Sequence, residues 1–282
     1  MSSRIWSVPR LRRAVLAGVL WLVAAAFASA LQSAATLSPE QQREFLLTAK
    51  VVRSRPAGKG VTGTLRLTLS DGTVTHDAGF QTIDDRMTTE DRVRGKRKAG
   101  EYNFVDSYKY NVAAYEIARL IGLDDMMPVT VERRINGETG SLSWWMDDVM
   151  MDEMERDQKN AQPPSAMAFA RQFQRMTVFG ELLRDVDRNK TNILYTSDWR
   201  HIMIDFSRAF RTDRELRFPE SLQQCDRALY EKLKALTEPE VRKAVGVLLT
   251  SHELAGVMAR RKLIVERFDR LIRERGEATV LY

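Results

Sequence analysis

The 282-residue chain has a single cysteine, Cys225, and three histidines. One thiol excludes an intramolecular disulfide framework in any redox compartment. With no local signature around it, Cys225 reads as a small buried hydrophobe. His76, His201 and His252 stand alone, without H-E-x-x-H or comparable ligand spacing, so structural histidines are expected rather than a zinc centre. A G-x-S-x-G elbow is also missing, which argues against the common serine-hydrolase arrangement. No internal repeat or low-complexity segment stands out.

What the chain does have begins with the apolar run Ala14–Ala30, preceded by Arg4, Arg10, Arg12 and Arg13 and ending in Ala28-Ser29-Ala30. A basic lead, an apolar stretch and a small-residue exit make a secretory signal over residues 1–30. At 17 residues the run also reaches the short limit for spanning a bilayer, so an uncleaved membrane anchor is the alternative. Either way the arginines stay cytoplasmic and the remainder is exported, periplasmic or extracellular. The Arg12-Arg13 pair additionally hints at twin-arginine export. Removing residues 1–30 lowers the formal charge from +6 to +2, so the basic balance does not point to nucleic acid. The cluster Arg92–Lys98 is expected to be a solvated loop.

Beyond residue 30 the pattern divides in two. Leu37–Thr48 reads as a helix with Ser38 as N-cap and Pro39 at its first position. VVRSRP, LRLTLS and TVTHDAGFQTI read as strands, with Asp71-Gly72 as a hairpin turn. Residues 84–106 are polar and irregular and read as a loop. Ser107–Ile121 has helical periodicity closed by Gly122, and a second hairpin turns at Asn136-Gly137. The stretch 147–165 is acidic, then polar, then proline-bearing, and reads as a linker whose carboxylates form a solvated face. From Ala166 onward the chain is mostly helical, and Val257, Ile264, Phe268 and Leu271 mark the apolar face of a last long helix. The expected architecture is α+β and two-lobed, with an antiparallel-sheet lobe with one main helix over residues 31–146 and a helical lobe over 147–282.

Chemistry concentrates in Gly180–Arg211. Asp187 is followed five residues later by Asn192, then by a strand, a turn and a second strand ending at Asp205. A phosphoryl-transfer centre uses one carboxylate at the attacking hydroxyl, with an amide and a second carboxylate to hold Mg²⁺ against nucleotide phosphates. The same residue types also suit an ordinary turn between a helix and a hairpin. The order helix, D-x-x-x-x-N, hairpin, I-D-F favours the catalytic reading.

LRDVDRNKTNIL and IMIDFSRAF resemble the catalytic and metal-binding segments of phosphatidylinositol 3-/4-kinase-like proteins, HipA-type kinases and secretory-pathway kinases. SYKYNVAAYEIARLIG and the following hairpin resemble the N-lobe of bacterial members of this protein-kinase-like superfamily. The resemblance implies a kinase-like fold that uses ATP and Mg²⁺ on an unidentified hydroxyl-bearing acceptor. Carried over by position, Asp187 orients the acceptor hydroxyl and Arg188 neutralises developing phosphate charge. Asn192 and Asp205 bind the metal. Trp145 and Met146 border adenine, although Trp144 and Trp145 equally suit core anchors. Gly58, Gly60 and Gly63 offer backbone N–H groups to phosphates.

Two positions depart from the family. The strand-three lysine that pairs with the α/β-phosphates is replaced by Gln81, and its helical glutamate partner by Asn111; Glu116 is a less well-placed substitute. A lone buried lysine or glutamate would be an uncompensated charge, so the two changes are expected to be coupled and their side chains to meet. The loss of the lysine leaves Lys59, Lys109 and Arg188 as compensating cations and keeps two alternatives open. One is a pseudokinase, a nucleotide-binding or scaffolding module without catalysis; the other is nucleotidyl transfer. The third residue of the metal segment is Ser207 instead of glycine, which implies a less mobile loop.

Overall fold

A computed structural model describes residues 37–58, 63–86 and 104–282. The expected signal over residues 1–30, Lys59, Gly60 and the cluster Arg92–Lys98 lie outside the described residues.

The first helix, α1 (Pro39–Thr48), is set by a capping box in which Ser38 and Gln41 satisfy each other's backbone N–H groups. Strands β1 (Lys50–Pro56), β2 (Leu65–Ser70) and β3 (Thr75–Gln81) follow, joined at the second turn by Asp71, whose carboxylate accepts from the N–H groups of Thr73 and Val74. After the short ladder of β4 (Asp84–Arg86) with β5 (Val105–Ser107), Ser107 caps the main N-lobe helix α2 (Tyr108–Ile121). Its end is set by Gly122 at φ +72°, a left-handed position that suits glycine. The β4–β5 ladder orders both ends of the stretch expected to be irregular throughout. The second hairpin, β6 (Thr130–Ile135) and β7 (Glu138–Trp144), turns through Asn136 and Gly137, both at positive φ.

These strands make an antiparallel five-stranded sheet in the order β1-β2-β3-β7-β6. Its register separates two faces. Leu67, Ala78, Phe80, Leu142, Trp144 and Val131 share one face, which α1 covers by packing Phe45 edge-on to Trp144. The opposite face carries Arg66, Asp77, Gly79, Gln81, Ser141 and Ser143, and meets α2 through Asn111. One face is therefore a core, the other a polar crevice wall.

The linker expectation over residues 147–165 needs correction. Val149–Asp152 form strand β8, which pairs with β9 (Ile193–Thr196); β9 pairs in turn with β10 (His201–Met203). Asp152 then caps helix α3 (Glu153–Lys159) through a reciprocal box with Glu155. The carboxylates that looked like a solvated face thus spend two of their number on a helix start, and Glu153 binds Arg156 at 2.5 Å. Composition hid the strand because its pairing partner lies more than forty residues away.

Helix α4 (Ala166–Leu183) leads into the loop Asp185–Asn192, and helices α5 (Arg227–Ala235), α6 (Glu238–Val245), α7 (Ser251–Arg275) and α8 (Glu277–Val280) complete the helical lobe. Val257, Ile264, Phe268 and Leu271 of α7 are all buried, as their spacing implied. The same helix buries Arg260 completely. Its guanidinium donates to the carbonyls of Leu182, Arg211 and Asp213, tying the end of α4 to the segment beyond β10. Cys225 is buried as expected, and burial pushes its thiol up to about 12.

Candidate active site

Leu183 ends α4, and Arg184 at φ +52° turns the chain into the loop Asp185–Asn192. The organiser of this loop is Asp185, whose side chain is almost wholly buried. It accepts from the Asp187 N–H at 3.1 Å and from Arg188 Nε at 2.8 Å. Asn192 Nδ2 then donates to the Asp187 carbonyl at 3.2 Å, closing the five-residue span. The Asp187 carboxylate is left 40% exposed at the crevice, which an acceptor hydroxyl could reach.

Arg188 is not available for the role assigned to it. Nη1 donates to the carbonyls of Asn192 at 2.9 Å and Ile204 at 2.5 Å, Nη2 lies 2.6 Å from Asp185, and the guanidinium stacks on Phe206 at 4.1 Å. It clamps the catalytic loop to the end of β10, because a planar five-donor fork can bridge two strands at once. The cation beside Asp187 is instead Arg208, with Nη1 3.4 Å from Oδ2.

Asp205 sits just past β10 with φ +56°. A non-glycine residue in this region costs on the order of 1–3 kcal/mol and persists only where its surroundings over-determine it. Those surroundings are visible: the Phe206 N–H donates to Asn111 Oδ1 at 2.6 Å, and the Ser107 N–H donates to the Ser207 carbonyl at 2.8 Å. Helix α2 and β5 of one lobe thereby hold the metal-type segment of the other.

Gln81 and Asn111 meet, as their coupled replacement implied. Asn111 Nδ2 donates to Gln81 Oε1 at 2.6 Å and lies 3.5 Å from Ser141 Oγ. Both amides are buried. Asn111 therefore spends its donor on the sheet and its acceptor on Phe206, a bridge that a glutamate could not make with the same neighbours. Glu116 faces elsewhere, paired with Arg43 at 2.6 Å and Arg119 at 2.9 Å. Lys109 is likewise committed, to Asp84 at 2.7 Å.

Trp144 and Trp145 diverge. Trp144 is a core anchor, stacked on His76 at 3.7 Å. Trp145 lies toward the polar face, its ring 4.1 Å from the Arg66 guanidinium, and half-buried Met146 packs against the core. Gly58 and Gly63 occupy the β1–β2 connection at φ +81° and +69°, with open space where a Cβ would stand.

Asp106 was hidden inside the supposed loop. It is only 7% exposed, and its Oδ1 has no hydrogen-bond partner among the described residues. Burial raises its pKa, the nearby Asp205 and Asp187 carboxylates add to the rise, and the Ser207 hydroxyl and Arg208 oppose it. Asp106 stands immediately before the N-cap of α2, yet only the fold reveals it beside Asp187 and Asp205. The described residues contain no group of three His, Cys, Asp or Glu side chains that converges as a closed metal cage. The oxygen-only donors Asn192 and Asp205 fit a hard cation that keeps part of its shell for substrate phosphates.

Comparison with solved structures places this arrangement. The chain superposes on hydra Fam20 with sugar at a TM-score of 0.65, over 86% of this chain and 91% of that one, at 15% identity. The fold is protein-kinase-like. The Golgi casein kinase matches at a TM-score of 0.61, with 12% identity over 86% of this chain and 79% of that one, and a further structure of it carries Mn/ADP. The Helicobacter pylori proinflammatory kinase CtkA matches at 0.50, with 8% identity over 82% and 97% of the two chains. No family model matches the sequence, and no curated protein matches it. At these identities the likeness is one of fold. The kinase-like fold therefore accounts for the observed order of sheet, main helix, catalytic loop and helical lobe. Among the described residues, no helix is long and apolar enough to cross a membrane.

Proposed function

We propose that the protein is an exported phosphotransferase that uses Mg-ATP to phosphorylate a hydroxyl-bearing acceptor. The observation that supports this reading is that the loop carrying Asp187 and Asn192 and the hairpin ending at Asp205 are held together by Asp185 and Arg188. The nucleotide-and-metal chemistry is supported by the fold shared with a kinase crystallised with Mn/ADP. Export rests on the basic-then-apolar pattern of residues 1–30, and the change of lobes falls between Trp144 and Val149.

Asp187 orients the acceptor hydroxyl and receives its proton as the new oxygen–phosphorus bond forms and the bond to the nucleoside diphosphate breaks. Asn192 and Asp205 hold Mg²⁺, which would neutralise charge on the phosphates. Gly58, Gly60 and Gly63 line the phosphate side, while Trp145 and Met146 border the base. Arg208 supplies positive charge beside Asp187, where Arg188 cannot. The contact between Gln81 and Asn111 favours one alternative, a pseudokinase that binds nucleotide without turnover, because no lysine reaches the phosphates from β3.

The deciding experiment is calorimetry of Mg-ATP binding, followed by transfer of labelled phosphate to candidate acceptors. Metal-dependent binding that disappears in Asp205→Ala is expected. Turnover should fall by roughly 10²–10⁴-fold in Asp187→Ala, the range of a lost general base. Binding without any turnover in the wild type would favour the nucleotide-binding pseudokinase; no binding at all would remove the phosphotransferase reading and leave a scaffolding module.

A further inference from the structure

A cavity of about 730 Å³ adjoins Asp187 through two of its lining residues, the chain neighbour Val186 and Arg208, whose Nη1 lies 3.4 Å from the Asp187 carboxylate. It is lined by Val186 of the catalytic loop, by the segment beyond β10, by Arg86 and Val105 of the β4–β5 ladder, and by Thr250 and Glu253 at the start of α7. Gln81, Asn111, Asn192 and Asp205 take no part in its lining. Its volume lies within the roughly 300–1,000 Å³ of small-molecule sites.

Its charge is one-sided. Arg86, Arg184, Arg208, Arg211 and Arg217 line it, against the carboxylates of Asp213 and Glu253. Glu253 is already engaged by Arg86 at 2.9 Å and by the Tyr110 hydroxyl, and Asp213 stands 3.9 Å from Arg184. Arg208 is paired with Asp187 at 3.4 Å, and Arg184 also donates to the Glu215 carbonyl at 3.3 Å. Within the lining itself five guanidiniums stand against two carboxylates, so the concavity carries a positive excess that attracts anions. The wall is also held firmly. Buried Arg260 fixes the Arg211 and Asp213 carbonyls, and Glu181 accepts from the Arg217 and Phe218 N–H groups at 2.7 and 3.2 Å. Guanidinium forks match tetrahedral oxyanions in pairs of parallel hydrogen bonds.

We infer that this cavity is the acceptor site and that the acceptor is a small hydroxyl compound already carrying a phosphate group. The inference rests on the phosphotransferase reading for its chemistry, although anion binding can be measured without it. The arginines grip the existing phosphate and present the free hydroxyl to Asp187. Its oxygen bonds to the terminal phosphorus of the nucleoside triphosphate, the diphosphate leaves, and the proton passes to the Asp187 carboxylate.

The test is calorimetric titration of the full chain with inorganic phosphate, without nucleotide or metal, at fixed ionic strength. Saturable binding is expected, weaker by about tenfold in Arg217→Gln and in Arg184→Gln, as the loss of a charge-assisted hydrogen bond implies. Arg242→Gln, a remote helix-surface control of equal charge change, and Asp205→Asn should both bind like wild type. Acetate should bind much more weakly than phosphate. Three results would overturn the inference: no saturable binding; an equal loss in Arg242→Gln; or a loss in Asp205→Asn with both cavity variants unaffected, which would put the phosphate on the nucleotide side. Acetate binding as tightly as phosphate would overturn the phosphate assignment. Failure of Mg-ATP binding with intact phosphate binding would instead count against the phosphotransferase reading alone.

Discussion

The buried amide pair of the sheet lobe and the arginine-lined cavity treat charge in opposite ways. In the sheet lobe, Gln81 and Asn111 form a buried neutral pair joined at 2.6 Å. Toward the β4–β5 ladder and α7, five arginines surround one cavity. The comparison teaches where each lobe can bear charge. A buried ion pair is stable only when both partners and their remaining hydrogen bonds are in place. Gln81 and Asn111 are buried and bonded to each other, so an amide pair holds the two elements together without desolvating two ions. The arginine cavity is open, and water and ligand can share the cost of gathering like charges.

Breaking the neutral pair should have the largest effect. Gln81→Lys alone places an unpartnered ammonium beside Asn111 and should lower unfolding stability by roughly 3–5 kcal/mol, read from urea denaturation. Adding Asn111→Glu should recover much of this, and the double-mutant cycle measures the coupling directly. Additive losses would show that the two positions are not the linked pair described. The double variant should also tighten Mg-ATP binding, since a lysine would then face the phosphates. The new glutamate can still accept from the Phe206 N–H, but two buried charges must then be desolvated, so the recovery should be incomplete.

A second neutral burial sharpens the contrast between dry and open regions. His201 is fully buried against Phe169 and Tyr195, and burial lowers its pKa from 6.5 to about 4. The unfolded chain therefore binds a proton at a pH where the folded chain does not. Stability from this group is complete above about pH 6.5 and is lost as pH falls toward 4, by up to about 3 kcal/mol. His201→Phe should flatten that part of the pH profile. An unchanged slope would mean another group carries it.

Ser207→Gly should have the smallest effect. It removes the hydroxyl that reaches Asp106 and restores the backbone freedom expected of a metal loop. A stability loss of about 1 kcal/mol is expected from the lost hydrogen bond and added chain entropy. A larger loss would show that the seryl bridge between the lobes, and not the Asn111 bridge, holds Asp205 in place.

Much of this was readable before the fold. Ser38, Gly122 and Asn136-Gly137 mark their element ends because caps and tight turns depend on side chains and φ angles within a few residues. Asp187 and Asn192 are legible for the same reason, since one loop spans both. The hidden strand Val149–Asp152 was not, because an acidic, methionine-rich stretch lacks alternation and becomes a strand only by pairing with Ile193–Thr196. Arg188 was misread because its neighbours in sequence suggest an exposed loop. Its actual partners, the Ile204 carbonyl and the Phe206 ring, arrive from across the hairpin.

The sequence by itself determined the first helix, the main N-lobe helix, the two hairpins with their turns and the spacing of Asp187, Asn192 and Asp205, all of which follow from short-range geometry. Only the tertiary structure decided that Arg208 and not Arg188 stands beside Asp187, that Asp106 is buried within reach of the Asp187 and Asp205 charges, and that five arginines from separate segments share one cavity. Those facts depend on long-range packing, where the partner of a charge is whichever group the fold brings near, and no local pattern encodes that choice.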